Sequence, residues 1–126
     1  MTWWPFRRHR SLGRRGEDIA AAHLRRAGLK VLARNVHLGR YEIDIIARER
    51  DTVAFVEVKT RRDDGFAAPE DNVTAEKQRR IRRAAREYIA RCDDPSVYYR
   101  FDVVSVVLRD DAKPDVTHFR DAFHDE

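Results

Sequence analysis

The hydrophobic pattern predicts a mixed α/β domain with the element order α-β-β-β-α-β-β. Three observations carry this. Two segments, 14–27 and 74–91, repeat apolar residues at helical spacing. Five other segments are β-branched and aromatic runs bounded by polar turns. The chain has 126 residues, one domain's worth, and can bury roughly two-thirds of its unfolded surface. Strands alternating with helices in this order fit a mixed sheet with helices packed against it. No run approaches the ~18 apolar residues that span a bilayer. A single cysteine, Cys92, excludes an internal disulfide framework and any CxxC motif, and it fits a reducing, cytoplasmic location.

At the start, Trp3, Trp4 and Phe6 are interrupted by Pro5 and followed by arginines, so a signal-peptide core is missing. Residues 1–12 read as a basic, aromatic N-terminal arm with no requirement for order, and residues 13–126 as a single domain. From Arg14 to Ala27, Ile19, Ala20, Leu24 and Ala27 share a helical face, and Gly28 is a stop signal. Lys30 to Val36 reads as a strand and His37 to Arg40 as a turn. Tyr41 to Arg48 and Val53 to Thr60 read as strands on either side of a polar turn, completing a meander. Residues 61–73 read as a loop. Thr74 caps a helix running to about Arg91, whose apolar stripe is Ile81, Ala84, Ala85, Tyr88 and Ile89. Asp93-Asp94-Pro95 ends it. Tyr98 to Leu108 and Val116 to Phe123 supply a fourth and a weaker fifth strand.

The second and third strands carry unusual polar residues. Strict alternation puts Glu42, Asp44 and Ile46 on one face and Ile43, Ile45 and Ala47 on the other. On the next strand it separates Val53, Phe55, Glu57 and Lys59 from Ala54, Val56, Val58 and Thr60. Matching the apolar faces of an antiparallel pair sets Asp44 opposite Glu57 or opposite Phe55. Either register gathers Asp44, Glu57 and Lys59 on one face, and a slip by one residue would part them. Adjacent carboxylates repel unless a cation intervenes, and carboxylate oxygens suit Mg²⁺ or Mn²⁺. Such a metal polarises a phosphoryl oxygen and activates water, while Lys59 would orient that water or stabilise developing charge. The same three residues also fit an ion-pair cluster on a solvated face, although aspartate is depleted in strands.

Asp44 followed by Glu57-Val58-Lys59 resembles the PD-(D/E)XK nuclease core. More narrowly, the chain resembles the YraN family (UPF0102), small bacterial proteins similar to archaeal Holliday-junction resolvases. The matching segments are Gly16-Glu17 with Ala20 and Leu24, Arg34-Asn35, Glu42 to Ala47, Phe55 to Arg61, Lys77, and Arg100 to Val104. The resemblance covers about residues 13–123. It implies a restriction-endonuclease-like mixed β-sheet flanked by helices. It further implies Asp44, Glu57 and the backbone carbonyl of Val58 as metal ligands, Lys59 as the catalytic lysine and Lys77 as an auxiliary basic residue. Glu17 would join the site, although an acid at a helix start is also favoured by the helix dipole alone. Tyr41 departs from the pattern, standing where the family usually has glycine. Resolvase relatives act as homodimers, so a homodimer is implied as well.

The net charge is +4, and all but Lys30, Lys59, Lys77 and Lys113 of the 26 basic residues are arginines. Arginine's planar fork suits phosphate, though a coding bias would give the same excess. Arg79, Arg82, Arg83 and Arg86 recur at helical spacing and form one stripe, suited to phosphates or to solvation alone. Arg61 and Arg62 follow the proposed catalytic strand. Phosphate-loop, HExxH and G-x-S-x-G signatures are absent, as are base-reading motifs. The sequence therefore predicts a metal-dependent endonuclease using Mg²⁺ or Mn²⁺ on DNA. Recognition would be structure-directed or non-specific, on branched or recombination intermediates, with no membrane partner. The alternative is a nucleic-acid-binding module that keeps a nuclease fold without catalysis.

Overall fold

A computed structural model describes the backbone of residues 4–63 and 73–124, with side chains from Leu12 onward in those ranges. The element order is α1 (Trp4–Arg26), β1 (Lys30–Leu38), β2 (Tyr41–Glu49), β3 (Thr52–Arg62), α2 (Ala75–Cys92), β4 (Tyr98–Leu108) and β5 (Asp115–Phe123). This is the expected α-β-β-β-α-β-β arrangement. The helix predicted from Arg14 begins earlier in the backbone, at Trp4, and β3 continues through Arg62. Residues 1–3 of the predicted arm and most of the predicted 61–73 loop lie outside the described residues.

The five strands lie in one sheet in the order β1-β2-β3-β4-β5. The meander β1-β2-β3 is antiparallel, β3 and β4 run parallel, and β5 returns antiparallel to β4. Parallel neighbours require a long crossover, and α2 lies within it. That connection brings the first turn of α2 back to the middle of β3.

Each face of the sheet carries one helix and one apolar cluster. Ala20, Ala21 and Leu24 of α1 are fully buried against Ile45, Ala47, Ala54, Val56, Val104 and Val106. Small residues on both sides allow close approach. Gly16 takes this furthest, since a Cβ there would lie 1.9 Å from Thr60 Oγ1. The helix ends as predicted: Gly28 adopts φ +99 and Leu29 N–H donates to Leu24 O at 2.9 Å. On the other face, Ile81, Ala84 and Ala85 of α2 pack with Phe55, Phe101 and Phe123, and Tyr88 meets Phe55 edge-on at 5.7 Å. Thr74 caps α2 by accepting from Lys77 N–H, as its sequence position indicated.

One expectation fails within β2. Ile43 was expected on the Ile45 face, yet it belongs to the α2-side cluster with Ile46 and Phe55, while Ile45 and Ala47 face α1. Facing it on β1, Ala33 and Val36 likewise both pack on the α2 side. The cause lies between the pairs Arg34–Ile45 and Val36–Ile43, where Asn35 takes a left-handed φ of 52°. Asparagine tolerates that conformation better than most residues. Both strands therefore change phase together around Asn35 and Asp44, without losing register.

Candidate functional site

The β2–β3 ladder pairs Ile45 with Val56, and the same register carried one step further sets Asp44 opposite Glu57. This is the first of the two registers expected. Near that step the phase change turns the Asp44 side chain into the ladder's place. Its Oδ2 accepts the Val58 N–H at 2.8 Å, satisfying a backbone donor that would otherwise lack a strand partner. The N–H and C=O of one strand residue point the same way, so the Val58 carbonyl also faces Asp44.

Four carboxylates converge here, each with one oxygen committed. Asp44 Oδ2 holds Val58 N–H. Glu57, whose side chain is only 6% exposed, has Oε2 3.2 Å from Lys77 Nζ. Asn35 Nδ2 donates to Glu17 Oε1 at 2.9 Å and to Glu42 Oε2 at 3.1 Å. The left-handed turn at Asn35 thus bridges the α1 acid to the β2 acid. Gly16 is what lets α1 come close enough for Glu17 to be reached.

The electrostatic cost falls on Asp44. Burial, then repulsion from Glu57, then the Glu17 and Glu42 charges push its carboxyl up from 3.8 to about 7, against the opposing Val58 N–H. No cation pairs with Asp44 among the described residues. The donor set is all oxygen and carries excess negative charge, which fits a hard divalent cation. Among the described residues, no three histidine, cysteine, aspartate or glutamate side chains are close enough to cage a metal by themselves. That is compatible with Mg²⁺, which is ordinarily held by one or two carboxylates and keeps several waters.

Above the acidic pair lies an open cleft of about 950 Å³. Asp44 and Glu57 line it, with Arg40 just before β2 and Tyr41 and Glu42 at its start on one side. Lys77, Arg79, Arg82, Arg83 and Arg86 from α2 line the other. The fold therefore brings the expected arginine stripe and Lys77 onto the same cleft as the carboxylates. Arg82 is also tied down, through Gln78 Oε1 at 3.4 Å and the His124 carbonyl at 3.2 Å.

Other predicted residues stand apart from the cleft lining. Lys59 occupies the next same-face position on β3 after Glu57 and is half-buried. Glu17 reaches the site only through Asn35. Arg62 turns away to Asp110, with a 3.3 Å ion pair, and Arg61 is half-buried beside it. Arg40 and the clamping role of Asn35 were missed by sequence reasoning. Arg40 was assigned only to a turn, although its place directly before β2 was a signal.

A second polar cluster supports the sheet from the α1 face. Asp102 on β4 is fully buried and accepts from Arg100 Nε at 3.0 Å, from the backbone N–H of Asp121 at 3.0 Å, and lies 2.8 Å from His118 Nε2. Burial opposes its ionisation, but the His118, Arg100 and Asp121 bonds outweigh that and hold the carboxyl below its usual range. Arg100 and Arg120 also converge on Glu49.

A family model described as "Uncharacterised protein family UPF0102" matches residues 16–106. A UPF0102 protein of Nocardia farcinica is 46% identical over 113 residues, covering 90% of this chain and 89% of the relative. One from Syntrophotalea carbinolica is 49% identical over 113 residues, covering 90% and 91%. The protein CT2262 of Chlorobaculum tepidum is 44% identical over 117 residues, covering 89% and 91%. The span matched by the family model holds Gly16, Glu17, Asn35, Asp44, Glu57, Lys59 and all of α2. No described helix is long and apolar enough to cross a membrane.

Proposed function

Because the chain belongs to the UPF0102 family and gathers an acidic pair and a basic helix face on one cleft, we propose that it is a divalent-metal-dependent endonuclease. It hydrolyses DNA phosphodiester bonds in branched or recombination intermediates and acts in the cytoplasm. The observation that carries this reading is the convergence of Asp44 and Glu57 with Lys77, Arg79, Arg83 and Arg86. A solvated ion-pair cluster does not require a half-buried carboxylate pressed against a second acid beneath a row of arginines.

Asp44, Glu57 and the Val58 carbonyl hold Mg²⁺ or Mn²⁺ in this reading. When bound, the ion supplies charge neutralisation at the phosphate and a lowered pKa for water. The protein's own residues do the rest. The α2 arginines fix the phosphate backbone across the cleft, which is positioning rather than sequence reading. Lys59 orients the attacking water or meets charge as it develops on the phosphate. Glu17 and Glu42, fixed by Asn35, keep the surrounding field negative and so favour the ion. Arg61 and Arg62, at the end of β3, contact the strand leaving the site, Arg62 by giving up its exposed ion pair with Asp110. A four-way junction needs two cuts, so a homodimer is the assembly this reading implies.

Glu57→Ala and Lys59→Ala test the assignment. Both should lose metal-dependent cleavage while the fold persists, and retention of parental cutting by both refutes it. A second reading is favoured by the Lys77–Glu57 ion pair, which already neutralises one acid: a nucleic-acid-binding module without turnover. It predicts salt-sensitive DNA binding that survives Asp44→Ala, with no cleavage in any divalent ion.

A further inference from the structure

Glu57 of the carboxylate pair is ion-paired with a flexible group. Lys77 Nζ lies 3.2 Å from Glu57 Oε2, yet the Lys77 side chain is 49% exposed and the Glu57 side chain 6%. Burying a carboxylate without a partner costs several kcal/mol, so the ammonium has a clear reason to be there. Only the far end of Lys77 is committed. Its backbone N–H is fixed by Thr74 in the first turn of α2, and the ammonium rides on a four-carbon stem. The same side chain lines the cleft beside Arg79 and Arg83. Arg80, one turn further round, is occupied instead by Glu76 at 2.8 Å. A divalent ion held by Asp44 and Glu57 would share the carboxylate that Lys77 now contacts, and two cations that close repel.

We infer that Lys77 is the counter-ion of the metal-free acidic pair, that the metal displaces it from Glu57, and that the released ammonium becomes a phosphate contact. Metal and nucleic acid then bind cooperatively, because loading one frees a ligand for the other. This rests on the metal-dependent reading above.

Mn²⁺ titration of the DNA-free protein by calorimetry tests it without any cleavage readout. Lys77→Met should bind Mn²⁺ roughly tenfold more tightly than the parent, because the competing charge is gone. Lys77→Arg retains a cation on Glu57, and Arg80→Met removes a cleft charge that Glu57 does not use; both should stay within about twofold of the parent. Duplex binding in Ca²⁺ against EDTA gives the second measurement: the tightening caused by the ion should shrink at least about threefold in Lys77→Met. Equal or weaker Mn²⁺ binding by Lys77→Met overturns the inference alone, as does equal tightening by Arg80→Met. A parent protein with no Mn²⁺ binding that Glu57→Gln removes overturns the inference together with the metal-dependent reading.

Discussion

Replacing Asp44 with asparagine should make the metal-free protein more stable. The Asp44 carboxyl is pushed from 3.8 to about 7, first by burial and then by Glu57. At about 1.36 kcal/mol per pKa unit, the ionised form loses up to roughly 4 kcal/mol of native stability above neutral pH. Coupling to Glu57 and relaxation of the site reduce that ceiling, and about 1–3 kcal/mol is expected. Asparagine removes the charge but keeps an oxygen to accept the Val58 N–H. The pH dependence has a definite sign. A carboxyl whose folded pKa is raised binds more protons in the native state, so its contribution is fully present below 3.8 and is lost as pH rises through about 7. Urea unfolding in EDTA at pH 5 and pH 8 reads this directly. Asp44→Asn should exceed the parent at pH 8, with a gap larger by about 1–2 kcal/mol than at pH 5. Mg²⁺ should then narrow the gap, since it stabilises only the form that binds it. Equal or lower stability of Asp44→Asn at pH 8 would refute the argument that the acidic pair is strained.

The other expectations can be checked by melting and binding. Gly16→Ala should cost about 1–3 kcal/mol, because its new methyl meets Thr60, and Thr60→Ala should recover part of the loss in thermal melts. Asp102→Ala leaves Arg100, His118 and the Asp121 N–H without their buried acceptor and should cost about 3–5 kcal/mol in urea. Because the Asp102 pKa is depressed, its stabilisation is present above 3.8 and lost as pH falls through the lower folded value, so this variant should also lose that part of the parent's acid-induced melting. If Arg79, Arg82, Arg83 and Arg86 each contact a phosphate, the salt slope of duplex binding should be near −3.6, with a loss of about 0.9 on replacing Arg83.

Much of this architecture is legible in the chain because local chemistry dictates it. The Thr74 cap, the Ile81 stripe and the β-branched run from Tyr98 to Leu108 each stand where the sequence places them. Asp44 and Glu57 come together because matching apolar faces leaves few registers, and the observed ladder is one of those two. Strict alternation fails at Ile43, since a period of two cannot register a left-handed residue in the neighbouring strand. Asn35 was the available signal, as one of the few residue types at ease there. The Asp102–His118 pair escaped for another reason. It joins β4 to β5 across a bulged register, and nothing local in either strand reveals that pairing.

Cleavage of labelled duplex, single-stranded, flap and four-way-junction DNA by the purified protein decides whether Asp44 and Glu57 form a nuclease site. Each substrate is incubated with Mg²⁺, Mn²⁺ or EDTA beside a Glu57→Ala control. Cutting should require the metal, disappear in the control and favour a branched substrate. Binding across the whole panel with no metal-dependent cut, or a cut that Glu57→Ala retains, would contradict it.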